Sequence, residues 1–435
     1  MKRTMKWIAM ALCLVMALST FVACGDSKTK DPAAGGSEVD ADRLAKIKAE
    51  PEEISFLAAG FDGTDENSHY TKAIKRFEKT FGKKVKIVQT SGKQLWNEKV
   101  AAQIAAKDPI SVFVISVDQY LSMYQKGFLT AVDDYCDLTK PGNSIPVMDD
   151  FVKFDGKYYA AGVTATPYVL YYNRDILAAN GFDADEPKKL YESGQWTWDK
   201  FVEIARACTD EETGIKGMEN MFDEVFQASN CNAAVKVNKD HRFELNIQTP
   251  EMRHTLEMVQ DIFNKNKVCG NGYVTGQNKF LKGKAAMHGA YAYEEDDFNQ
   301  LKKDGTISID FGITAFPAGP DNKEKKNFGH STGFAISNGC KAPYSAGMLI
   351  DIILEESEKV SKKTNQLVSE ENMKLYEKLS ENLFIPSYTD GILERGFGAF
   401  YLLYGARQGE DINKILASYE TTYQKMVNDA NALLD

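Results

Sequence analysis

An α/β fold divided into two domains is predicted by three observations. Short apolar runs with strand character alternate with amphipathic helical stretches from about residue 54 onward, which is typical of an open, mainly parallel sheet. The chain has 435 residues, too many for one compact core once a leader and a spacer are set aside. We see no internal repeat of solenoid length.

The N-terminus has the pattern of an export signal. Basic residues are followed by an apolar run from Trp7 to Leu18, which is too short to span a bilayer well. Ala23 then precedes Cys24, an arrangement that resembles the lipobox of bacterial lipoproteins, although Phe21 and Val22 depart from its usual Leu and small residue. Residues 1–23 are therefore predicted to be a lipoprotein signal peptide, with Cys24 as the lipid attachment site. The alternative is an ordinary secretory signal that contains a chance Cys.

Residues 24–50 are rich in Gly, Ser, Lys, Asp and Ala and show no apolar period. We expect them to form a flexible tether between the membrane and the folded part. The first strand and helix patterns follow this segment. They are a strand at 54–59, a helix over 70–81 stopped by Gly82, strands at 85–88 and 112–115, and a helical stripe at 96–104.

The alternation continues through the second half of the chain. A strand is predicted at 169–172, and short strands are predicted at 285–287 and 311–315. Thr197 is placed to cap a helix, and Thr249 followed by Pro250 is a strong helix start. A last helix is predicted over about 410–434.

Composition excludes several classes of protein. The formal charge is −10, so we expect neither nucleic acid nor anionic lipid as a partner of the surface. Besides Cys24, the mature chain would keep an odd number of cysteines with no close Cys-x-x-Cys pair, so neither a zinc site nor a disulfide framework is implied. A bridge such as Cys231 to Cys269 is left open.

One segment imitates a hydrolase motif. Gly329-His330-Ser331-Thr332-Gly333 matches G-x-S-x-G, which requires a strand before the Ser and a helix after it. Here a charged loop precedes the motif and a strand pattern follows it, so we reject a Ser nucleophile. None of the five His falls in a metal-ligand spacing. We predict no catalytic centre, no metal and no cofactor.

Four segments, taken in order, resemble the extracellular solute-binding proteins of ABC importers, in particular the sugar-binding family that includes maltodextrin-binding proteins. They are Leu170-Tyr171-Tyr172-Asn173-Arg174-Asp175, Trp196-Thr197-Trp198-Asp199-Lys200-Phe201, Phe280-Leu281-Lys282-Gly283-Lys284-Ala285-Ala286-Met287, and Phe311–Pro320 followed by Gly333-Phe334-Ala335-Ile336-Ser337. Each is weak alone, but together with the lipobox they strongly indicate this family, and the similarity spans about residue 53 to the C-terminus.

The resemblance implies a type II-like periplasmic-binding-protein fold with a ligand cleft between two lobes. The lobes are joined by a hinge that the chain crosses several times. Lobe one is expected to hold 51–163 with 328–357, and lobe two to hold 164–327 with 358–435. The implied protein is a monomer on the outer face of a bacterial membrane, anchored by its lipid, that delivers a carbohydrate to ABC permease subunits and catalyses nothing.

Ligand-binding residues are sought where loops leave the strands toward this cleft, because a sugar offers apolar faces to aromatic rings and hydroxyls to acids and amides. For Glu66 a solvated helix start is the competing interpretation, and for Asp118 an N-cap is the favoured one. The candidates are Phe61, Asp62, Glu66, Asp118, Thr166, Tyr168, Tyr291, Tyr293, Glu294 and His330.

Other functions remain open at this point. The same fold could bind a peptide, a polyamine or another polar solute with a different cleft lining. An exported hydrolase or a surface adhesin would belong to different classes. The sequence does not distinguish which sugar, linkage or length would be bound.

Overall fold

The computed structural model describes residues 40–90, 93–140, 142–239, 242–270, 273–364, 367–393 and 399–434. The strands are β1 (Glu53–Leu57), β2 (Lys84–Ile87), β3 (Val112–Ser116), β4 (Leu129–Thr130), β5 (Lys153–Phe154), β6 (Lys157–Tyr158), β7 (Thr166–Asn173), β8 (Lys216–Glu219), β9 (Val235–Val237), β10 (Phe243–Leu245), β11 (Ala285–Tyr291), β12 (Phe311–Thr314), β13 (Asn327–His330), β14 (Thr332–Ser337) and β15 (Leu383–Phe384).

Helices precede, separate and follow these strands. They are α1 (Ala41–Ala49), α2 (His69–Phe81), α3 (Lys93–Ala105), α4 (Val117–Gln125), α5 (Asp149–Val152), α6 (Arg174–Ala179), α7 (Glu186–Glu192), α8 (Trp198–Ala207), α9 (Glu224–Ser229), α10 (Pro250–Gln260), α11 (Tyr273–Leu281), α12 (Glu294–Lys303), α13 (Pro343–Thr364), α14 (Glu370–Ser380), α15 (Ser387–Asp390), α16 (Phe400–Arg407) and α17 (Ile412–Asn431). A turn of π-helix, Asp261–Lys265, extends α10.

The first sheet has the strand order β2-β1-β3-β14-β4 within the described residues. β1 pairs in parallel with β2 and β3, and β14 pairs antiparallel with β3 and β4. The predicted helix after β1 is confirmed: Gly82 caps α2 in the left-handed conformation, with φ 69°, which glycine adopts at little cost.

The second sheet is built around β7, the long strand predicted at 169–172. Its order is β15-β13-β7-β11-β8, with β12 also paired to β7. β11, β12 and β13 are all antiparallel to β7, and β8 is parallel to β11. The predicted caps of the helices beside this sheet are confirmed, since Thr197 accepts a hydrogen bond from the backbone of Lys200 and Thr249 accepts one from Met252.

The chain crosses between the two sheets along two neighbouring segments. Ala161 is bridged to Phe334, the Thr164 backbone donates to the Thr332 carbonyl at 2.8 Å, and Thr166 is in register with His330. Two lobes joined by a hinge with more than one crossing are therefore confirmed as the fold. Because β13 belongs to the second sheet, the return crossing comes at Ser331 rather than at the expected residue 328.

Two expected boundaries need correction. α13 continues unbroken through the boundary expected at 357. The expected tether ends earlier than residue 50, because α1 is a helix whose Ile47 is fully buried. Arg43 of this helix forms an ion pair with Asp351 at 2.8 Å. An isolated nine-residue helix is marginal, so tertiary contacts that the polar composition does not reveal hold it in place.

The internal cysteines are free thiols in this structure: Cys136, Cys208, Cys231, Cys269 and Cys340. Cys208 is buried on the apolar face of α8, as its spacing predicts. Cys231 approaches the Asn322 side chain at 3.1 Å rather than Cys269. The bridge left open between Cys231 and Cys269 is therefore not formed here.

Candidate functional site

Strand directions bring several predicted residues to one edge of the second sheet. β8 and β11 run parallel and end at this edge, whereas β7, antiparallel to β11, begins there. β13 is antiparallel to β7, so it ends there at His330. The edge adjoins the crossing, because β14 begins two residues later with Thr332 beside Ser116, the last residue of β3. Loops from both sheets thus meet where the chain changes sheet, which is where open α/β sheets bind ligands.

Three side chains at this edge form a surface that we call the aromatic wall: Tyr291, Tyr293 and His330. The rings of Tyr291 and Tyr293 are stacked, with centroids 5.6 Å apart and planes 14° from parallel. The His330 ring lies 5.9 Å from Tyr291. Tyr293 is 61% exposed, the largest exposed fraction among the large apolar side chains of the described residues. Its ring is therefore accessible to a ligand.

Tyr168 supports the wall from within the core. It is only 2% exposed, and its ring lies 5.1 Å from Tyr291 and is stacked on Phe316 at 5.6 Å. Its hydroxyl donates to the Asn220 carbonyl at 3.1 Å. The prediction that Tyr168 touches the ligand needs correction, because the side chain is buried and its hydroxyl is already hydrogen-bonded.

Glu294 also has a supporting role. The side chain is 4% exposed, and its carboxylate accepts hydrogen bonds from the Tyr291 backbone at 3.1 Å and from the Gln277 amide at 2.9 Å. It closes the turn between β11 and α12, where a negative charge also suits the helix N-terminus. Glu294 therefore shapes the wall rather than offering a carboxylate to a hydroxyl group.

Thr166 stays on the accessible side of the edge. It is half-buried at the start of β7 and lies beside His330 in the strand register. A hydroxyl at this position can donate and accept hydrogen bonds. Thr166 and His330 are thus the polar candidates that the structure brings to the wall.

The three candidates after β1 contact residues of the first-sheet half. Phe61 packs against Phe56 and Tyr70 at 5.8 and 5.2 Å. The Asp62 carboxylate accepts from the Thr64 backbone and hydroxyl, and these bonds lower its pKa. Glu66 is exposed and pairs with Lys75. Asp62 thus has its partner within its own loop, Glu66 has one in α2, and Phe61 belongs to a local aromatic cluster.

Asp118 lies in the first turn of α4, at the end of β3. The favoured N-cap interpretation is wrong: Ser116 occupies that position, and its backbone N–H donates to the Gln119 side chain at 3.1 Å. The Asp118 carboxylate accepts a hydrogen bond from the Ser116 hydroxyl. Since Ser116 is in register with Thr332, Asp118 lies two residues along the chain from a strand position beside the crossing.

Phe222 is a wall-supporting residue that the sequence analysis missed. Its ring lies 5.1 Å from Tyr168, 6.0 Å from Tyr291 and 6.4 Å from Phe328. It follows β8, whose sequence Lys-Gly-Met-Glu has neither apolar alternation nor β-branched residues. β8 is identified by its pairing with β11 rather than by its own sequence pattern. The sequence therefore did not indicate that the loop after it, which carries Phe222, lies near the site.

The hydrolase motif is structural. Ser331 is fully buried between β13 and β14, and the Tyr120 hydroxyl lies 3.4 Å from its Oγ. A strand follows where a nucleophile elbow needs a helix. Across the described part of the chain, no cluster of three or more His, Cys, Asp or Glu side chains is suited to a metal ion. Within the same residues, no helix has the length and apolarity needed to cross a bilayer.

Two sheets joined by paired crossings, with aromatic and polar side chains where they meet, define a two-lobed solute-binding protein. The family model described as bacterial extracellular solute-binding protein matches residues 72–362, and the chain belongs to this family. Its members bind solutes, which confirms the prediction of a binding protein rather than an enzyme. No curated protein sequence matches the chain.

Several solved structures share the fold, among them an ABC substrate-binding protein. Lmo0181 from Listeria monocytogenes, in complex with cycloalternan, is 17% identical with a TM-score of 0.63, over 87% of this chain and 98% of that one. The GacH receptor of Streptomyces glaucescens, solved unliganded and with acarbose, is 17% identical with a TM-score of 0.64, over 87% of this chain and 98% of that one. UgpB from Mycobacterium tuberculosis, in complex with glycerophosphocholine, is 15% identical with a TM-score of 0.65, over 87% of this chain and 99% of that one.

Proposed function

We propose that this protein is a lipid-anchored extracellular receptor that binds a carbohydrate, most simply an oligosaccharide, and delivers it to an ABC transporter. The observation that carries the proposal is the aromatic wall, with the stacked and accessible pair Tyr291 and Tyr293 at the meeting point of the two sheets. Family membership supports solute binding, and the wall supports a solute that packs against aromatic rings.

A stacked tyrosine pair suits a sugar for physical reasons. The C–H face of a pyranose packs against a ring face, and the edge hydroxyls need partners within hydrogen-bond distance. His330 of the wall and Thr166 beside it can supply them. A site that pairs with a given hydroxyl rejects an analogue lacking it, because the protein group would be left buried without a partner.

The proposed lobes follow the sheets. Lobe one holds the first sheet with α2–α4 and the start of α13, and lobe two holds the second sheet with α6–α12 and α14–α17. Closure would be stabilised by a ligand that touches both lobes at once. Asp118 is the proposed contact from lobe one, while Phe61, Asp62 and Glu66 are proposed as contacts at the outer rim.

Membrane attachment is proposed from the sequence alone. Cys24 lies outside the described residues, and its position after Ala23 supports lipid attachment. A single lipid chain gives marginal binding, so a multiply acylated N-terminal Cys is the anchor we propose. The transporter's permease subunits are the proposed protein partner, and the receptor acts as a monomer.

A second candidate is the same fold with another polar solute. The observation that favours it is the fold shared with UgpB, whose structure contains glycerophosphocholine. Rings that receive a sugar also attract a quaternary ammonium group, so the aromatic wall alone does not separate these two chemistries.

A thermal-shift screen of the mature chain separates them. Mono- and oligosaccharides are tested alongside peptides, polyamines and glycerophosphocholine. A ligand at 100 times its Kd adds about 2.7 kcal/mol of stability, which raises Tm by several degrees at most for a chain of this size. A shift with a sugar supports the proposal, whereas a shift only with another solute replaces its substrate class.

A further inference from the structure

We infer that Arg407 is a positioning residue of the binding site, acting on the aromatic wall through Phe222. The inference rests on the proposed function, since it concerns how the wall is held for its ligand. Arg407 ends α16, far along the chain from the wall. It reaches the four-residue segment Asn220–Asp223 between β8 and α9, which we call the support loop.

The guanidinium group of Arg407 holds the C-terminal half of the support loop. One of its nitrogens lies 2.7 Å from the Asp223 carboxylate and donates to the Met221 carbonyl at 3.2 Å. The Asp223 side chain is 8% exposed and that of Arg407 18%. The Arg407 guanidinium also lies 4.0 Å from the centre of the Phe263 ring. Arg407 thus holds Met221 and Asp223, the two residues that flank Phe222 in the sequence.

The N-terminal half of the loop is attached to the strand that carries the wall. The Asn220 amide donates to the Gly289 carbonyl at 2.6 Å, and the Gly289 backbone N–H donates to the Asn220 carbonyl at 3.0 Å. Asn220 has a φ of 55°, in the left-handed region that Asn tolerates better than most non-glycine residues. The support loop is thus fixed at one end to β11 and at the other to α16.

Phe222 transmits this attachment to the ligand surface. Its ring lies 5.1 Å from that of Tyr168 and 6.0 Å from that of Tyr291, and Tyr291 is the ring on which Tyr293 is stacked. If Arg407 no longer holds Met221 and Asp223, the Phe222 ring loses its fixed place against Tyr291. The wall would then have to be ordered when the ligand binds, and that ordering cost lowers the affinity.

Arg407 is therefore expected to affect binding beyond its effect on stability. Removing either partner of a buried pair destabilises a protein, so stability alone cannot test the inference. The matched control is Arg76→Met, because Arg76 forms partly buried pairs with Glu355 and Glu356 in the first-sheet half, at 2.7 and 3.0 Å. Both variants should lose stability, but only Arg407→Met should lose affinity.

The binding experiment is calorimetry with whichever sugar the wild-type chain binds. We expect about a tenfold rise in Kd for Arg407→Met, equivalent to about 1.4 kcal/mol, and an unchanged Kd for Arg76→Met. Arg407→Lys, which keeps the charge but not the planar fork, should fall between wild type and Arg407→Met. The double variant Arg407→Met with Phe222→Ala should lose no more affinity than Phe222→Ala alone, because both act through one ring. Additive losses, or an unchanged Kd in Arg407→Met, would overturn the inference.

A second measurement decides the matter even if no sugar binds and the proposed function fails. Hydrogen exchange of the free protein reports opening of the backbone directly. Peptides covering 218–226 should exchange faster in Arg407→Met than in wild type, whereas Arg76→Met should leave their exchange unchanged. Equal exchange in the two variants would show that Arg407 does not hold the support loop.

Discussion

Tyr293 shows how single residues divide the work at the proposed site. Its ring is exposed and stacked on Tyr291. The Tyr168 ring packs against Tyr291, and the Glu294 carboxylate accepts a hydrogen bond from the Tyr291 backbone. Residue type alone does not separate these roles, since the tyrosines look alike in the sequence. Burial separates them, and burial depends on which strands become neighbours.

Replacing Tyr293 by Ala should weaken sugar binding by about 1–3 kcal/mol, the scale of one lost aromatic contact. The fold should be unaffected, because the side chain is 61% exposed. Calorimetry measures the affinity, and the control is Tyr344→Ala, which removes a ring that packs on Tyr135, outside the wall. Equal affinity of Tyr293→Ala and wild type would remove Tyr293 from the site.

His288 makes stability depend on pH on the acid side. It is fully buried and stacked 5.3 Å from Phe280, and burial lowers its pKa to about 3. Between about pH 6.5 and 3, the unfolded chain takes up a proton that the folded chain does not, so this group costs stability as pH falls through that window.

At pH 5 the cost is about 2 kcal/mol. His288→Phe keeps an aromatic ring and removes the titration, so its free energy of unfolding should fall less between pH 7 and pH 5 than that of wild type. Urea unfolding at both pH values gives the change in the free energy of unfolding for each protein. If the larger Phe ring destabilises the variant equally at both pH values, that cost cancels in the change. Identical pH differences in the two proteins would contradict the account.

At the scale of helices and strands, features set by a few adjacent residues could be predicted, whereas features set by distant neighbours could not. Thr197, Thr249 and Gly82 mark helix ends correctly because caps depend on a few adjacent residues. α1 and β8 could not be predicted, because one is a polar helix held by distant partners and the other a strand without an apolar period. The site had the same limit: Tyr291 and Tyr293 follow the strand predicted at 285–287, whereas His330 ends β13, which was not predicted, and Phe222 follows β8.

The turn between β11 and α12 gives a test at this scale. Glu294→Ala leaves the Tyr291 backbone N–H and the Gln277 amide without their partner, which should cost about 1–3 kcal/mol of stability. Glu203→Ala is the control, since it removes an exposed carboxylate paired with Lys200 and should cost under about 0.5 kcal/mol. Urea unfolding compares the two, and similar small losses would show that Glu294 does not hold the turn.

For the whole molecule, the two lobes and the repeated crossing could be expected from the resemblance, but the positions of the crossings could not. His330 pairs with Thr166 before the chain returns to the first sheet, and this register is fixed by packing rather than by local sequence. Glycines and short polar residues between two apolar strands do not indicate which sheet takes each strand.

Attachment to the membrane is a property of the full chain. Cys24→Ala should move the protein from the membrane fraction to the soluble fraction of the producing cells, because the lipid would have no attachment point. Immunoblotting of the fractions measures this, with Cys340→Ala as the control that keeps Cys24. An intact Cys24→Ala protein that stays with the membrane would show that the lipobox interpretation is wrong.

Calorimetric titration of the mature chain and its Tyr291→Ala variant, with the sugar found by thermal shift, tests most directly whether the aromatic wall binds a carbohydrate. We expect saturable binding of one sugar per wild-type chain and loss of most of that affinity in the variant, which should remain folded by circular dichroism. A sugar bound equally well by both proteins would place the site elsewhere. Binding of only a peptide, a polyamine or glycerophosphocholine would contradict the proposed carbohydrate ligand.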